Sequence, residues 1–270
     1  MKSVLLYANR DPGLESRFQA ALDVTRLFGG HLTCLQVTPY DSFIMGDPFG
    51  GVYALPTVIE QVQKAAGTHR EEVEGRLRGE GISWDWLPFD GAPGQLIVDR
   101  ARLCDLIVLS RPEQEGAQGQ VAQSIAAEVL VHARSPVLAV PPASRGIDAL
   151  GAAMVAWDGS LEASHALRLT LPMLLKASAV NIVTVTEGQR EFPATDAARY
   201  LARHGVEPEL LEWPAEGRST AAALGAAATS LSAAYVVMGA YGHTRLREAF
   251  LGGATRDMLR DAPVPLLMAH

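Results

Sequence analysis

The chain has 270 residues, 48% of them hydrophobic and 20% charged, a balance that fits one large or two ordinary packed domains and excludes disordered, collagen-like and low-complexity architectures. Twenty-three Lys and Arg against 30 Asp and Glu leave a net charge of −7, so no net positive field is available to hold a nucleic acid or an acidic membrane surface. The two cysteines, Cys34 and Cys104, each lie in an apolar run, which excludes a disulfide scaffold and makes a reducing cytoplasm the expected location.

Met1-Lys2-Ser3 leads straight into the strand-like Val4-Leu5-Leu6-Tyr7, without the apolar stretch and cleavage site of a leader. No window reaches the roughly 18 consecutive apolar residues of a membrane span. From there, short β-rich runs alternate with longer helical patterns. The first half predicts strands near 3–8, 31–37, 82–88, 105–110 and 136–141, and helices at about 14–28, 57–79, 93–103 and 121–133. Trp84 and Trp86, two apart in a strand, share a face and read as packing or interface residues rather than as a stacking site. Pro141-Pro142-Ala143-Ser144-Arg145-Gly146 can extend neither sheet and reads as a linker. Beyond it, strands are predicted near 152–157, 179–186, 207–213, 234–239 and 264–269, with helices at about 161–176, 194–204, 216–231 and 252–260.

The two halves repeat one another. Asp105–Ser110 matches Ala234–Gly239, and Ser135–Val140 matches Val264–Ala269, both at an offset of 129. The beginnings match at larger offsets, Leu5-Leu6-Tyr7 against Val155-Ala156-Trp157 at 150 and Gly30–Val37 against Ser178–Val185 at 148. The first copy therefore carries an insertion, placed around Tyr40 to Pro56, whose Phe43, Ile44, Met45, Phe49, Val52 and Tyr53 make it a candidate contact or lid. Each copy reads as a five-stranded, mainly parallel sheet flanked by about four helices, an α/β doubly wound, Rossmann-like domain. The expected domains are 1–143 and 150–270, packed as a pseudo-dimer.

The segment from Met238 to Thr255 follows a buried-strand pattern and leads into a helix, with glycines at 239, 242, 252 and 253. Gly239 and Gly242 fall where a chain leaving a strand turns sharply, and Gly252-Gly253 opens the next helix, whose free N–H groups and dipole favour an anion. That arrangement suits a phosphate chain at the carboxyl edge of an open sheet; a plain turn and a plain helix boundary are the alternatives. His243, Thr244, Arg245 and Arg247 add positive charge to the loop, either beside phosphates or as solvated surface. Asp158 ends the first strand of the second copy and reaches the same edge, where its carboxylate could accept hydrogen bonds from a base or sugar. Alternatively, Asp158 or Ser160 caps the helix that begins near Leu161.

Taken together, Val155-Ala-Trp-Asp-Gly-Ser160 and the spacing Gly239, Gly242, Gly252 resemble the ATP-binding pattern of the universal stress proteins, in their tandem form, over nearly the whole chain. The resemblance implies a nucleotide, ATP with or without Mg, with its base and ribose near Asp158 and Val185 and its phosphates over Gly239, Gly242 and Gly252. Gly253 stands where that family usually has Ser or Thr; its backbone N–H and the hydroxyl of Thr255 would compensate in part.

The first copy departs further. Ser110, Glu113, Gln123 and Ser124 replace Gly239, Gly242, Gly252 and Gly253, and Ala8 falls opposite Asp158. Ser124 then reads as a helix cap, and this half as a structural or regulatory partner. No HExxH, CxxC, GxxxxGK[ST] or GxSxG pattern is present, so metal, P-loop and serine-hydrolase chemistry have no sequence support. Near the glycine loop no carboxylate or histidine is clearly positioned to activate water, and His243 and Asp158 are the residues that keep slow hydrolysis open. The expected function is a nucleotide-binding stress or signalling protein, at most a weak ATPase. An enzyme acting at the phosphates and a ligand-free scaffold are the alternatives, and a second copy of the chain or a regulatory protein are the partners it leaves open.

Overall fold

In the computed structural model, residues 1–39, 45–46, 52–53, 56–111, 117–185, 192–241 and 253–270 are described. The first half contains β1 (Ser3–Tyr7), α1 (Leu14–Phe28), β2 (His31–Thr38), a short antiparallel ribbon of β3 (Met45–Gly46) and β4 (Val52–Tyr53), α2 (Pro56–Leu77), β5 (Ser83–Asp90), α3 (Pro93–Arg100), β6 (Leu106–Ser110), α4 (Ala117–His132) and β7 (Val137–Val140). The second half contains β8 (Ala153–Ala156), α5 (Leu161–Leu169), α6 (Leu171–Leu174), β9 (Val180–Val185), α7 (Ala194–Arg203), β10 (Glu209–Trp213), α8 (Thr220–Ser230), β11 (Tyr235–Gly239), α9 (Gly253–Asp261) and β12 (Leu266–Ala269).

All but the ribbon strands join one ten-stranded sheet, ordered β10-β9-β8-β11-β12-β7-β6-β1-β2-β5. Within each half the strands are parallel, and the halves meet at an antiparallel pair, β7 against β12. The inner strands are continuous apolar runs because helices cover both faces. Leu5, Ile107 and Met154 pack on one face, while Leu6, Val108 and Val155 pack on the other. The outermost strands carry the polar residues that edge strands use against unwanted pairing: Asp85, Pro88 and Asp90 on β5, Glu209 and Glu212 on β10.

The predicted helix 161–176 is two helices. Pro172 lies in the first turn of α6, and the Thr170 hydroxyl bonds back to Ala166 O at 2.7 Å, so the chain bends between Leu169 and Leu171. Trp84 and Trp86 do pack inward; Trp86 donates its indole N–H to Gln36 Oε1 at 3.2 Å. No helix among the described residues is long and apolar enough to cross a membrane.

Candidate functional site

Strand order reverses between β8 and β11 in the second half and between β1 and β6 in the first. Each reversal opens a crevice at the carboxyl edge, where α/β folds take their ligands.

In the second half, Asp158 follows β8 with its side chain exposed. Its Oδ1 accepts from Ser160 N at 3.0 Å and Ser160 Oγ at 2.6 Å, and Ser160 Oγ in turn accepts from Ala163 N at 3.0 Å, capping α5. The capping role therefore belongs to Ser160, and Asp158 braces the cap from outside the helix. Between them Gly159 has φ +78°, and a Cβ there would meet Phe192 O at 2.7 Å, so a side chain is excluded both by backbone conformation and by space. The Trp157 indole N–H donates to the same Phe192 carbonyl at 3.1 Å, tying the loop to the segment before α7.

Val185 ends β9 beside Trp213 of β10. Two polar atoms flanking it, Thr184 Oγ1 and Trp213 Nε1, are buried with no hydrogen-bond partner. A buried polar group left unpaired costs about 1–3 kcal/mol, so native structures rarely leave one without a reason. Neither is signalled in the sequence, because both sit in ordinary strand positions.

Gly239 ends β11 against the first turn of α5. A Cβ there would meet Ala163 N at 2.6 Å and the Glu162 carbonyl carbon at 2.7 Å. The packing of α5 is thus sufficient reason for a glycine, independent of any phosphate. Tyr241 holds a left-handed φ of 57°, unusual for a bulky residue, and its N–H donates to Thr255 Oγ1 at 3.1 Å. That bond ties the start of the loop to α9, and burial pushes the Tyr241 phenol up to about 12. Thr255 is therefore engaged with the loop backbone, whereas Gly253, the first residue of α9, has open space around its Cβ position. Gly242, His243, Thr244, Arg245, Arg247 and Gly252 lie outside the described residues, as do Glu113 and most of the 40–56 insertion.

Two expectations about the first half need correction. Ser124 is no cap: α4 begins at Ala117, so Ser124 stands exposed within the helix. Ala8 is not the counterpart of Asp158 either. Leu5 pairs with Ile107, and Met154 with Val236; 107 and 236 differ by 129, so 5 and 154 set the first-strand offset at 149 and place Asn9 opposite Asp158. Ala8 N donates to Leu35 O as Trp157 N does to Val183 O, both at 2.8 Å, which fixes the same register.

With that register the two crevices differ plainly. In the first, the fully buried Arg17 of α1 donates from Nε to Tyr7 O at 2.6 Å, from Nη1 to Asp11 Oδ1 at 2.5 Å and Ser110 Oγ at 2.8 Å, and from Nη2 to Asn9 O. The guanidinium fills the β1/β6 crevice. The glycine has also changed sides: a Cβ on Gly13, before α1, would meet Ser110 Oγ at 2.3 Å. Among the described residues no group of three or more His, Cys, Asp or Glu could hold a metal ion.

No curated protein matches the chain. Among solved structures, a universal stress protein from Archaeoglobus fulgidus DSM 4304 has a TM-score of 0.74 at 16% identity, with 99% of this chain and 96% of that one covered. A candidate universal stress protein from Pseudomonas aeruginosa UCBPP-PA14 has a TM-score of 0.62 at 17% identity, covering 99% and 92%. These likenesses establish the fold over the full length. The model of the universal stress protein family matches residues 1–141, more than half of the chain, and the chain belongs to that family.

Proposed function

We propose that the second half, residues 150–270, binds an adenine nucleotide such as ATP, one per chain, and that residues 1–143 form a partner domain without a nucleotide. The observation that carries this reading is the contrast at the two strand-order reversals. One crevice is filled by Arg17 and its partners, while the other presents the exposed Asp158 carboxylate beside β11. A carboxylate suits ribose hydroxyls, which donate to it. The unpaired Trp213 Nε1, on the same face of the sheet as Val185, is a group that a polar ligand near Val185 could satisfy. Open space at Gly253, on the first turn of α9, suits an anion approaching helix N–H groups.

The reading is a nucleotide-responsive protein rather than an efficient hydrolase, acting in stress response or signalling. A reducing cytoplasm suits it, since neither Cys34 nor Cys104 forms a disulfide.

Calorimetry with Mg-ATP tests the stoichiometry. One site per chain is expected, and Gly242→Glu, which places a negative charge in the glycine loop, should largely eliminate it. Two equivalent sites, or undiminished binding by that variant, would overturn the reading. Phosphate release at several turnovers per minute would replace it with an enzyme.

A further inference from the structure

At the amino end of the outermost strand pair of the first half, three side chains are joined in a row. His31 opens β2 and pairs with Ser83, the first residue of β5, while Asp85 stands two residues further along β5. Residues two apart on a strand share a face, so the three lie together on one side of the sheet. The His31 ring bridges the other two, with Nδ1 at 2.7 Å from Ser83 Oγ and Nε2 at 2.9 Å from Asp85 Oδ2. Ser83 is exposed, and the His31 and Asp85 side chains keep 37% and 67% of their surface, so a small molecule can reach the Ser83 oxygen from solvent.

The direction of the two bonds follows from what each group can do. An ionised carboxylate only accepts, so Nε2 carries the hydrogen and donates to Asp85. In the neutral imidazole Nδ1 is then an acceptor, and the Ser83 hydroxyl is its donor. A hydroxyl, an imidazole and a carboxylate in that order activate a serine, and the constellation is recognised by geometry and roles rather than by sequence position; His31 and Ser83 are 52 residues apart. The backbone supplies a further donor. Gly91 N donates to Thr38 O at 3.1 Å, and successive residues of an outer parallel strand face alternately inward and outward, so the odd-numbered residues of β5 face β2 and Trp84 turns its N–H to the open edge. Pro88, which has no N–H to offer, falls in the same outward set. In α/β-hydrolases the N–H of the residue after the serine helps hold the developing oxyanion. We propose that Ser83 is a nucleophile for acyl transfer from a small, uncharged activated ester or thioester, with His31 as its base and Asp85 orienting the ring.

In the first step Ser83 Oγ attacks the acyl carbon while its proton passes to His31 Nδ1, and the Asp85 carboxylate stabilises the imidazolium. The bond from the acyl carbon to the leaving oxygen or sulfur breaks, and that atom takes the proton from Nδ1. The products are an ester on Ser83 and a free alcohol or thiol. Water that gives a proton to the same nitrogen then attacks the ester, releasing the carboxylic acid and restoring the hydroxyl. An open sheet face gives the donor little to bind, so the acyl group is small and the rate rises in proportion to donor concentration. The Asp85 carboxylate and the net charge of −7 disfavour an anionic donor. These residues open β2 and β5, so they stand at the amino edge of the sheet, opposite the crevices at the carboxyl edge, and the proposal is independent of nucleotide binding.

The test is labelling of the full chain with p-nitrophenyl acetate, read by peptide mass. Hydroxylamine, which cleaves esters and spares amides, separates acetyl groups on serine from those on Lys2 or the amino terminus. Ser83 should acquire acetyl about tenfold or more faster than the exposed Ser178 and Ser230, a modest share of what a positioned base contributes. His31→Gln should remove that advantage. So should Asp85→Asn, because a carboxamide can donate to Nε2 and leave the ring proton on Nδ1, where it can no longer accept from Ser83. Both positions are at the surface, and thermal unfolding of each variant confirms that it is folded. Equal rates at the three serines, or undiminished labelling of Ser83 in either variant, would overturn the proposal and leave the three side chains a clamp on the outer strand.

Discussion

Asp23 shows how a single half-buried carboxylate sets a pH dependence. It sits on α1 under the linker, accepts from Ile147 N at 3.0 Å, and a Cβ on Gly146 would meet its Oδ2 at 2.3 Å. Burial, the dominant cause, raises its carboxyl above the usual range, with the Ile147 N–H and Arg26 opposing. The folded state therefore holds the Asp23 proton more tightly than the unfolded chain does, and stability falls as pH rises from the ordinary carboxylate value through the raised one. Asparagine can still accept from Ile147 but carries no charge. Asp23→Asn should raise Tm at pH 7, and its advantage should shrink toward pH 4; a constant difference across that range would show that the charge is already well solvated. Asp158 is the opposite case, exposed and dispensable for the core. Asp158→Ala should leave Tm within a few degrees, because Ser160 keeps the helix cap, while weakening Mg-ATP binding by about ten- to a hundred-fold, the worth of a hydrogen bond to a charged group. Calorimetry beside thermal unfolding separates the two effects. Asp158 was legible in the sequence because a short motif isolates it. Arg17 and Asn9 were not: an offset read one residue too long put Ala8 in the critical place, and an arginine in an amphipathic helix reads as surface until its partners from β1, the next loop and β6 are seen together.

Between elements, the contact of the first β-strand's following helix with the fourth strand is solved in opposite ways in the two halves. In the second half the glycine is on the strand, Gly239, and α5 supplies backbone; in the first half the glycine is before the helix, Gly13, and the strand supplies Ser110, whose Oγ donates to Gly13 O at 3.0 Å. One small residue is enough for the close approach, and the other position is then free to vary. Glycine spacing alone could not separate this packing demand from phosphate recognition, since both call for a missing side chain at the same strand end. Gly239→Ala separates them. A methyl at 2.6 Å from backbone cannot be accommodated by a rotamer change, so α5 must shift, at a cost of about 1–3 kcal/mol without any ligand present. Loss of nucleotide affinity with an unchanged Tm would show that Gly239 serves the ligand and not the helix. Most strands and helices were otherwise readable from periodicity, because their apolar spacing reflects burial on one or both faces. The break before α6 was missed because Leu171-Pro172-Met173-Leu174 keeps a helical apolar pattern across the proline.

At the scale of the molecule, the repeat in the sequence becomes a symmetry in space. Leu138 of β7 and Leu267 of β12 are 129 residues apart, equivalent in the two copies, and they face one another across the antiparallel seam, with Val137 opposite Met268 and Ala139 opposite Leu266. Equivalent residues meeting in this way are the mark of an isologous two-fold contact, here made within one chain. All six residues are at most 1% exposed. At its rim the seam is asymmetric: Arg111 crosses from the end of β6 to donate to Ala262 O after α9, while its counterpart in the repeat is Ala240. Cutting the chain after residue 143 would uncover the whole edge of β12, a row of unpaired backbone groups flanked by apolar side chains, which is a template for pairing with any similar edge. Because β12 occupies the position that β7 occupies in its own half, the most accessible partner is a second copy of the same fragment, aligned Leu267 to Leu267. A fragment of residues 144–270 should accordingly dimerise or aggregate in size-exclusion chromatography with light scattering, while the full chain keeps this edge satisfied. Leu267→Lys in that fragment should then suppress self-pairing by placing like charges face to face. A fragment that runs as a stable monomer without the lysine would show that the first half is not needed to cover β12, and that tandem fusion has not replaced a dimer contact.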